Sequence, residues 1–493
     1  MSQPQVNILP GKKYAPTQLG RVLILGLGKS GKAAYEYCSA LLGERIEHLS
    51  IAAGQKSEDA LAFVERIDTS KIDLCFDVYD FEERFDLCIA SPGISQFSDF
   101  YQNAQAASTE IISEVEFAWR ESAESARWIA ITGTNGKTTT TALLAHILTT
   151  SGFSAAAVGN IGSTCLEEVS KGSTDVYVAE VSSYQLASTR MFAPSVAILL
   201  NITPDHLAWH TSHGNYVEAK HKVFQNLSQT QDVYAIVDAV GQECRALVKS
   251  MKALSRSERG YSYIPLGTAA GIGGDMRKAC QSENAAFLDN NKLCVALNQD
   301  EYYVAGTDEL RIRGEHNAAN ALAATAAALV VGADSDAIRS ALLSFEALEH
   351  RMEECGSLFG MKFFNDSKAT NIDATLKALS AFEEEKPLVL LGGHDKGTDL
   401  SVLVEEAEKR AQAVICYGAA GKRIYDAFDT SSVSRFLESN LEAAFERALS
   451  VGKPGDVVLL SPACASFDEF DSFEHRGRVF KELIRRRSSR QGG

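Results

Sequence analysis

The sequence has little of what marks disordered, secreted or membrane-spanning chains. Only 10 of its 493 residues are proline, and no low-complexity tract interrupts it. No stretch approaches the roughly 18 uncharged apolar residues that a membrane helix needs. The opening residues MSQPQVNILPGKKY also lack the apolar core of a secretory signal. We therefore expect a folded, cytoplasmic protein with no membrane partner.

Acidic residues outnumber basic residues in this sequence. Lys and Arg total 48 against 64 Asp and Glu, which gives a formal net charge of -16. A chain with this charge repels nucleic acids and anionic membranes. We expect no nucleic-acid partner, and any anionic ligand has to be held by a local site.

The 10 cysteines form no CxxC pair, and several lie in apolar runs such as DLCIA and VICYG. This pattern is typical of reduced core residues and not of disulfides or zinc ligands. Cys464 invites interpretation as a nucleophile. No histidine partner lies near it in sequence, so we interpret it as a small packing residue.

The length corresponds to about three domains of about 150 residues. Short apolar runs alternate with amphipathic stretches along the whole chain, among them RVLILG, RWIAIT, SVAILLN, PLVLLGG and DVVLLSP. Buried parallel strands alternating with helices produce this pattern, which predicts an α/β fold throughout. The polar stretch at 120–127 predicts a first linker, and a second boundary is expected near Leu348. Residues 228–310 have weak periodicity, and we assign no elements there.

The strand RVLIL ends in Gly26-Leu27-Gly28-Lys29-Ser30-Gly31. Such glycines let the backbone approach a pyrophosphate at a helix N-terminus. A dinucleotide site also needs an acid at the end of the next strand, but the candidate strand at 46–50 ends in Leu49-Ser50. The loop is therefore either a nucleotide site of another kind or a turn needed only for packing.

After the strand RWIAI comes Thr132-Gly133-Thr134-Asn135-Gly136-Lys137-Thr138-Thr139-Thr140. Backbone N–H groups of such a loop bind phosphates, its lysine supplies a positive charge, and the next hydroxyl can bind Mg²⁺. Only two residues separate the glycines, which differs from the ordinary P-loop. We nevertheless predict an ATP site, because a lysine and three threonines at a helix start have no packing role.

Two further strands end in polar residues, Glu180 in DVYVAE and His206 after SVAILLN. Ligands of open α/β sheets lie beyond the carboxyl ends of the strands. Glu180 and His206 therefore predict a metal site beside the phosphate loop. Asn317 and Asn320 lie three apart, so one helical face presents both to a ligand.

In this order, TGTNGKTTT, EVSSYQL, NITPDHL, YVEAK, GEHNAANALAA, HRME, NDSKATN, LLGGHDKG and LSPACASFDEF closely resemble the Mur ligase family. The resemblance covers nearly the whole chain except about 228–310. Within the family, SPGI, DSKATN and SPACAS resemble the members that add D-glutamate.

The resemblance implies three domains: a Rossmann-like UDP-binding domain at 1–120, a central P-loop-type ATPase domain with a mainly parallel sheet at 121–347, and a Rossmann-like amino-acid-binding domain at 348–493. It implies an ATP-dependent ligase of peptidoglycan precursor synthesis that forms an acyl phosphate, and we expect a monomer. The family's polar uracil-side segment is not matched at Ser50-Ile51-Ala52-Ala53.

The resemblance also implies the residues of each site. The catalytic residues are Lys137, Glu180, His206 and Lys220, and Lys220 carries a CO₂-derived carbamate. Two Mg²⁺ ions are held by Thr138, Glu180, His206 and Lys220. ATP is bound by Thr134, Asn135, Gly136, Lys137, Thr138, Thr139, Thr140, Asn317, Asn320, Arg351 and Asp366.

The substrate residues are implied in the same way. The UDP substrate is bound by Gly28, Lys29, Ser30, Ser91, Pro92, Gly93, Asn160, Ser182, Gln185 and His206. D-Glutamate is bound by Lys368, Thr370, Lys396, Ser466 and Phe473. Arg351 and Asp366 are expected to act when the C-terminal domain closes.

Two alternatives stay open at the level of sequence. The first is a non-catalytic nucleotide-binding switch, which needs the phosphate loop but no amino-acid site. The second is a ligase of the same family that adds L-glutamate or acts on another peptidoglycan precursor. For Lys220, the alternative is a solvated helix lysine.

Overall fold

The computed structural model describes residues 7–227, 232–268, 282–382, 385–395 and 397–489. In these ranges the strands form three sheets, and helices flank them. The α/β class predicted from the sequence is confirmed. The strands are β1 Gly20–Leu25, β2 Ile46–Ala53, β3 Asp73–Phe76, β4 Phe85–Ala90, β5 Ser108–Ser113, β6 Arg127–Thr132, β7 Ala155–Gly159, β8 Val176–Glu180, β9 Val196–Leu199, β10 Tyr234–Asp238, β11 Ser262–Gly267, β12 Ala285–Asp289, β13 Lys292–Leu297, β14 Asp300–Gly306, β15 Glu353–Leu358, β16 Met361–Asn365, β17 Leu388–Gly392, β18 Ala413–Tyr417, β19 Ser434–Leu437 and β20 Val457–Ala463.

The helices mostly connect consecutive strands, as expected for parallel sheets. In the described ranges they are α1 Lys29–Ser39, α2 Glu58–Val64, α3 Asp99–Ala107, α4 Glu114–Glu121, α5 Lys137–Thr150, α6 Cys165–Lys171, α7 Ser183–Ala187, α8 Leu207–His210, α9 His213–His221, α10 Gln242–Ala253, α11 Arg256–Arg259, α12 Glu315–Val330, α13 Ser335–Ser344, α14 Ile372–Ser380, α15 Ser401–Arg410, α16 Gly421–Ala427, α17 Leu441–Val451 and α18 Phe473–Ser489. None of these helices is long and apolar enough to cross a membrane.

The first sheet is parallel, with the strand order β3-β2-β1-β4-β5. Helices α1 and α2 bury Tyr35, Cys38 and Phe63 in the core on one face. On the other face, α3 packs against β4 and β5 through Phe100 and Tyr101. The connection between β3 and β4 contains no helix.

The central sheet has the order β14-β13-β12-β11-β10-β9-β6-β8-β7. It is parallel from β7 to β12, and β12, β13 and β14 are antiparallel. Strand β6 lies between β8 and β9, so its carboxyl end is flanked by the ends of both neighbours. Ligand-binding loops of parallel sheets are found in this position.

The third sheet has the order β15-β16-β20-β17-β18-β19, and only β15 pairs antiparallel. It belongs to a compact unit formed by Thr307–Ala318 and Ser344–Gly493. The first and central sheets belong to the other unit, Met1–Gly306 with Ala319–Leu343. The predicted domain boundaries near residues 120 and 348 stay predictions.

Two details differ from the sequence analysis. Strand β2 continues to Ala53, three residues beyond the predicted end at Ser50. The segment Ser50-Ile51-Ala52-Ala53, which we expected to follow the strand, is therefore buried inside it. Residues 232–268 and 282–306, where we predicted no elements, form β10 to β14 and two helices.

The predicted first linker begins inside a helix. Arg120 and Glu121 of α4 are almost fully buried. Arg120 pairs with Glu110 and Glu116, and Glu121 pairs with Arg45 at 2.7 Å. These ion pairs compensate for the burial of the charged side chains. The polar segment can therefore be buried between the first and the central sheet.

Candidate functional site

The glycine loop after β6 is fixed by a side chain from the end of the neighbouring strand. Asn201 accepts a hydrogen bond from the backbone N–H of Asn135 at 2.8 Å and donates to its carbonyl at 3.0 Å. Gly136 directly precedes α5, with φ of 86°. A Cβ there would lie 2.4 Å from Oδ1 of Asn320, so this position requires glycine. Asn320 therefore faces the predicted phosphate loop.

Lys137 folds back onto the loop that precedes it. Its Nζ donates to the carbonyls of Gly133 and Thr134, at 2.9 and 2.8 Å. Thr138 is half-buried beside it, and Thr139 and Thr140 are buried. Oγ1 of Thr140 has no hydrogen-bond partner among the described residues. The loop thus brings together an ammonium group, hydroxyls and the N-terminus of α5, which suits an anionic ligand.

Glu180 ends β8 and is 1% exposed. Its Oε1 accepts a hydrogen bond from Nδ2 of Asn160 at 3.0 Å. Its Oε2 is buried and has no partner in the part of the chain that the structure describes. A buried carboxylate oxygen without a partner is costly, and a hard cation such as Mg²⁺ would satisfy it.

Lys220 lies in α9 and is only 2% exposed. Its Nζ donates to the carbonyl of Gly133 at 2.8 Å, so it shares this acceptor with Lys137. Desolvation holds the pKa of Lys220 well below its usual value, and the charge of Lys137 lowers it further. This residue is therefore not a solvated helix lysine, and burial favours its neutral amine.

His206 precedes α8 in the left-handed backbone region, with φ of 54°. Its ring packs against Tyr184 at a centroid distance of 4.9 Å, and Tyr184 stacks on Trp209 at 4.5 Å. The side chain of His206 is 42% exposed, and the carboxylate of Asp205 lies 3.6 Å from its Nε2. The ring is thus accessible at the same edge of the sheet as Glu180.

Another glycine loop follows β1. Gly31 packs against the loop backbone, because a Cβ there would lie 1.9 Å from the carbonyl oxygen of Gly26. Ser91 donates to that same carbonyl at 3.1 Å, and Pro92 and Gly93 continue the turn after β4. Lys29 is exposed and donates to the carbonyl of Gly162.

The segment after β7 contacts both the first glycine loop and the end of β8. Gly162 accepts from Lys29, and Asn160 donates to Glu180. The following helix α6 begins against the buried carboxylate of Glu114, whose Oε1 accepts from the N–H of Leu166 at 2.7 Å. Desolvation raises the pKa of Glu114 to about 7.

Ser182 and Gln185 form hydrogen bonds with each other. They form a reciprocal capping box at the start of α7. Their predicted role in binding the UDP substrate has to be compatible with this local function. Ser30 lies in the first turn of α1, next to Lys29.

In the other compact unit, Asp366 is buried at the end of β16. Its oxygens accept from Ser461 Oγ at 2.8 Å and from the N–H of Met352 at 3.3 Å. Desolvation raises the pKa of Asp366 to about 7, against the positive charge of Arg351. Asn317, at the start of α12, donates to the carbonyl of Arg313 at 2.8 Å.

A buried arginine joins two of the segments that carry the predicted D-glutamate residues. The guanidinium of Arg476 is fully buried and donates to Ser367 and to the carbonyls of Cys464 and Ala465. It thereby holds the segment of Lys368 and Thr370 next to the segment of Ser466. Lys368 lies 3.7 Å above the ring of Phe473. Lys396 lies outside the described residues.

Two groups of described residues bring His, Asp or Glu atoms within 4.8 Å of one another: His48 with Asp73 and Glu83, and Glu349 with His350 and Glu353. Both already contact basic side chains, Arg21 in the first group and Lys481 in the second. Neither group contains a predicted Mg²⁺ ligand.

Sequence reasoning missed three residues that shape these sites. They are Asn201, which holds Asn135; Tyr216, whose hydroxyl lies 2.8 Å from Oγ1 of Thr134; and Arg476. Asn201 and Tyr216 lie inside motifs that were recognised, but only the folded chain shows their partners.

Comparison with known families gives two matches. Residues 131–328 match the Mur ligase middle domain, and residues 350–464 match the domain described as "Mur ligase, glutamate ligase domain". Three similar relatives are named UDP-N-acetylmuramoylalanine–D-glutamate ligase. The Thermoanaerobacter pseudethanolicus protein is 36% identical over 94% of this chain and 98% of its own length. The Koribacter versatilis protein is 34% identical over 96% and 98%, and the Alkaliphilus metalliredigens protein 39% over 81% and 83%.

Solved structures show the same fold at low identity. MurF from Acinetobacter baumannii matches with a TM-score of 0.57 and 17% identity, covering 94% of this chain and 93% of that one. A pseudomurein peptide ligase type C from Methanothermus fervidus matches with 0.56 and 17%, covering 94% and 99%. The UDP-N-acetylmuramate-alanine ligase MurC from Thermotoga maritima matches with 0.53 and 19%, covering 95% and 99%.

Proposed function

The chain belongs to the Mur ligase family, and we propose that it joins D-glutamate to UDP-N-acetylmuramoyl-L-alanine at the expense of ATP, in peptidoglycan precursor synthesis. The observation that carries this proposal is the 34–36% identity to D-glutamate ligases over almost the full length of both chains. The phosphate loop with Lys137 supports the use of ATP.

The reaction needs activation because the oxygen of a carboxylate is a poor leaving group. The alanyl carboxylate attacks the γ-phosphorus of ATP, and ADP leaves. The amine of D-glutamate then attacks the carbonyl carbon of the acyl phosphate, loses a proton and expels inorganic phosphate as the amide forms. In phosphoryl transfer, most catalysis comes from positioning and charge neutralisation.

The loop at Thr134, Asn135, Gly136, Lys137 and Thr138 would hold the phosphates of ATP through backbone N–H groups and hydroxyls. Lys137 would exchange its present carbonyl acceptors for the transferred phosphoryl group. Asn320 faces Gly136 and would bind on the nucleotide side of the loop. Thr139 and Thr140, which are buried in the first turn of α5, would complete the ATP site.

The residues present fit Mg²⁺, because Glu180 has one buried oxygen without a described partner. Thr138, Glu180 and His206 would hold two Mg²⁺ ions, with the modified Lys220 as a further oxygen ligand. Bound Mg²⁺ supplies positive charge that offsets the charge of the phosphates. Glu180 and Asn160 would keep their mutual hydrogen bond and fix the direction of the carboxylate.

Lys220 would carry a carbamate. Its neutral amine would attack the carbon of CO₂, so that a C–N bond forms as one C–O π bond breaks, and the nitrogen would release a proton to water, which leaves an anionic carbamate. The desolvated position and the low pKa of Lys220 support this step, because only the neutral amine is a nucleophile.

The UDP substrate would be bound by the first glycine loop, through Gly28, Lys29 and Ser30, and by Ser91, Pro92 and Gly93. Asn160, Ser182, Gln185 and His206 would contact its muramoyl-alanine part. The contact between Lys29 and Gly162 supports this interpretation, because Gly162 lies two residues after Asn160.

In the other unit, Asn317, Arg351 and Asp366 would bind ATP. Lys368, Thr370, Lys396, Ser466 and Phe473 would bind the carboxylates of D-glutamate. Arg476 supports this assignment, since it ties the described segments of these residues together. We further propose the three domains 1–120, 121–347 and 348–493, a monomer and a cytoplasmic location.

The test crosses a panel of UDP-muramoyl acceptors with D- and L-amino acids and identifies products by mass. We expect phosphate release and a dipeptide product only with UDP-N-acetylmuramoyl-L-alanine and D-glutamate together. A product with L-glutamate or another acceptor would contradict the substrate assignment. ATP binding without phosphate release under any combination would instead indicate a nucleotide-binding switch.

A further inference from the structure

The segment that follows β20, residues 464–470, lies across the carboxyl ends of neighbouring strands in the third sheet. Ala465 exchanges two backbone hydrogen bonds with His394, which follows β17, at 2.8 and 3.1 Å. Asp468 accepts at its Oδ2 from the N–H of Ala419, which follows β18, at 2.9 Å. Because the strands lie in the order β20-β17-β18-β19, the segment passes two strand ends in turn and contacts the chain after each of them.

Glu469 extends this arrangement by one more strand. Its Oε2 accepts from the N–H of Leu441 at 3.2 Å, and Leu441 begins α17, the helix that follows β19. Asp468 and Glu469 are thus consecutive carboxylates that each bind a backbone N–H of a different connection. Hydrogen bonds to an ionised acceptor are stronger than those between neutral groups. The two carboxylates therefore hold the segment in place after the backbone pairing with β17 has ended.

Gly418 leaves the space that the Asp468 contact needs. It has φ of 68°, in the left-handed region. A Cβ at this position would lie 2.5 Å from Oδ2 of Asp468 and 3.0 Å from Oε1 of Glu469. A side chain here would displace the carboxylates, so the connection after β18 accommodates them only as glycine.

Ser466 lies between the contacts that hold this segment. The buried guanidinium of Arg476 donates to the carbonyl of Ala465, directly before it, at 3.2 Å. The carbonyl of Ser466 accepts from the N–H of Phe470 at 2.9 Å, which closes a turn that contains Asp468. The position of Ser466 over the sheet thus depends on Arg476 on one side and on Asp468 on the other.

We propose that Asp468 is a positioning residue of the amino-acid site: its contact with Ala419 holds Ser466 where a carboxylate of D-glutamate binds. The inference rests on the proposed function, in which Ser466 binds D-glutamate. Asp468 acts through the backbone, because its own negative charge would repel an anionic amino acid at close range. Its loss should therefore weaken the use of D-glutamate and leave the use of ATP unchanged.

The test measures steady-state phosphate release by the full-length protein and by two variants. Asp468→Ala removes the acceptor and should raise KM for D-glutamate about tenfold, since a small displacement of a binding group is costly. KM for ATP and for the UDP substrate should change by less than about twofold. Asp468→Asn keeps an oxygen that can accept from Ala419 and should stay within about threefold of normal. An unchanged KM in Asp468→Ala, or an equal rise in both variants, would overturn the proposal.

Asp456→Ala is the matched control. Asp456 directly precedes β20, at the opposite edge of the sheet, and is half-buried as Asp468 is. Its Oδ2 accepts from the backbone N–H of Lys453 at 2.8 Å, so the variant loses the same kind of contact. KM for D-glutamate should stay normal in this control. A rise equal to that of Asp468→Ala would indicate a general loosening of the unit and would overturn the proposal.

A second variant reaches the same contact from the other side. Gly418→Ala displaces the carboxylate of Asp468 without changing residues 464–470, and it should also raise KM for D-glutamate. It decides the matter if Asp468→Ala fails to fold, and an unchanged KM would overturn the proposal. No phosphate release by the unchanged protein with D-glutamate would overturn the proposed function and this role with it. Normal release with the same KM in every variant would overturn the positioning role alone.

Discussion

The glycine loops after β1 and after β6 each place a glycine directly before a helix, but they hold their lysines differently. Lys29 of the first loop reaches out to the carbonyl of Gly162 in a neighbouring segment. Lys137 of the second turns back to the carbonyls of Gly133 and Thr134. Lys220 contacts Gly133 as well, so two amines share one acceptor.

The surroundings of the two loops also differ. In the first, the hydroxyl of Ser91 is satisfied by Gly26. In the second, buried oxygens of Glu180 and Thr140 have no partner among the described residues. Buried oxygens without a hydrogen-bond partner and two neighbouring amines favour the binding of a charged ligand at the second loop. The first loop, whose hydroxyl is already hydrogen-bonded, is suited mainly to positioning a ligand. This difference supports our proposal that the second loop takes part in the chemistry and that the first binds a substrate.

The largest expected effect is on turnover, and it distinguishes Lys137 from Lys29. Lys137→Ala should lower turnover by about a thousandfold, about 4 kcal/mol in barrier, because its charge acts on the transferred phosphoryl group. Binding of the UDP substrate, measured by calorimetry, should stay unchanged. Lys29→Ala is the matched control and should raise KM for the UDP substrate with little change in kcat. Turnover of Lys137→Ala above about a tenth of normal would contradict the comparison.

The next effect concerns Lys220. Lys220→Ala should lose most activity, about a hundredfold, and added formate or acetate should restore part of it by supplying an anionic oxygen group. Lys220→Arg places a fixed cation beside Lys137 and should be inactive with or without formate. Steady-state phosphate release measures both variants. Normal turnover of Lys220→Arg would exclude the carbamate.

Glycine substitutions test whether the first loop is shaped mainly by packing. Gly31→Ala brings a Cβ within 1.9 Å of Gly26 O, so the loop has to move. We expect KM for the UDP substrate to rise about tenfold and the protein to lose about 1–3 kcal/mol of stability. Gly28→Ala is the control for stability, because its φ is -72° and no atom lies within 4 Å of its Cβ. Equal losses of stability in the two variants would contradict a packing role for Gly31.

The last effect depends on pH and concerns stability alone. The pKa of Glu114 rises from 4.5 to about 7 in the folded protein, chiefly by desolvation. The folded state therefore binds this proton more tightly than the unfolded state, and the stability of the protein falls as pH rises through this interval. Glu114→Gln removes the proton site, so its stability relative to the unchanged protein should increase between about pH 5 and about pH 8. Urea unfolding measures this, with the exposed Glu124→Gln as control, and a pH-independent difference would contradict it.

Most strands could be predicted because buried parallel strands are continuous apolar runs, and RWIAIT coincides with β6. The predicted end of β2 was wrong because Ala52 and Ala53 have little intrinsic strand preference. Strand β11 contains Pro265, which argues against a strand in sequence. It is tolerated because β12 pairs with β11 only at Leu266 and Gly267.

For the sites, motifs identified the residues but not their partners. The spacing of TGTNGKT predicts a phosphate loop, yet nothing local links Asn135 to Asn201 or Lys220 to Gly133. Such contacts join residues far apart in sequence, so they depend on strand order. Strand order in turn depends on packing of the whole sheet and not on local propensity.

Strand β20 lies between β16 and β17 in the third sheet, although it is the last of the six to be synthesised. During translation, β16 and β17 therefore emerge long before the strand that joins them. Each exposes an unpaired edge until Val457–Ala463 leaves the ribosome. Open strand edges promote aggregation. A chain truncated before residue 457 should consequently depend on chaperones to stay soluble. A chain that continues through α18 should not depend on them.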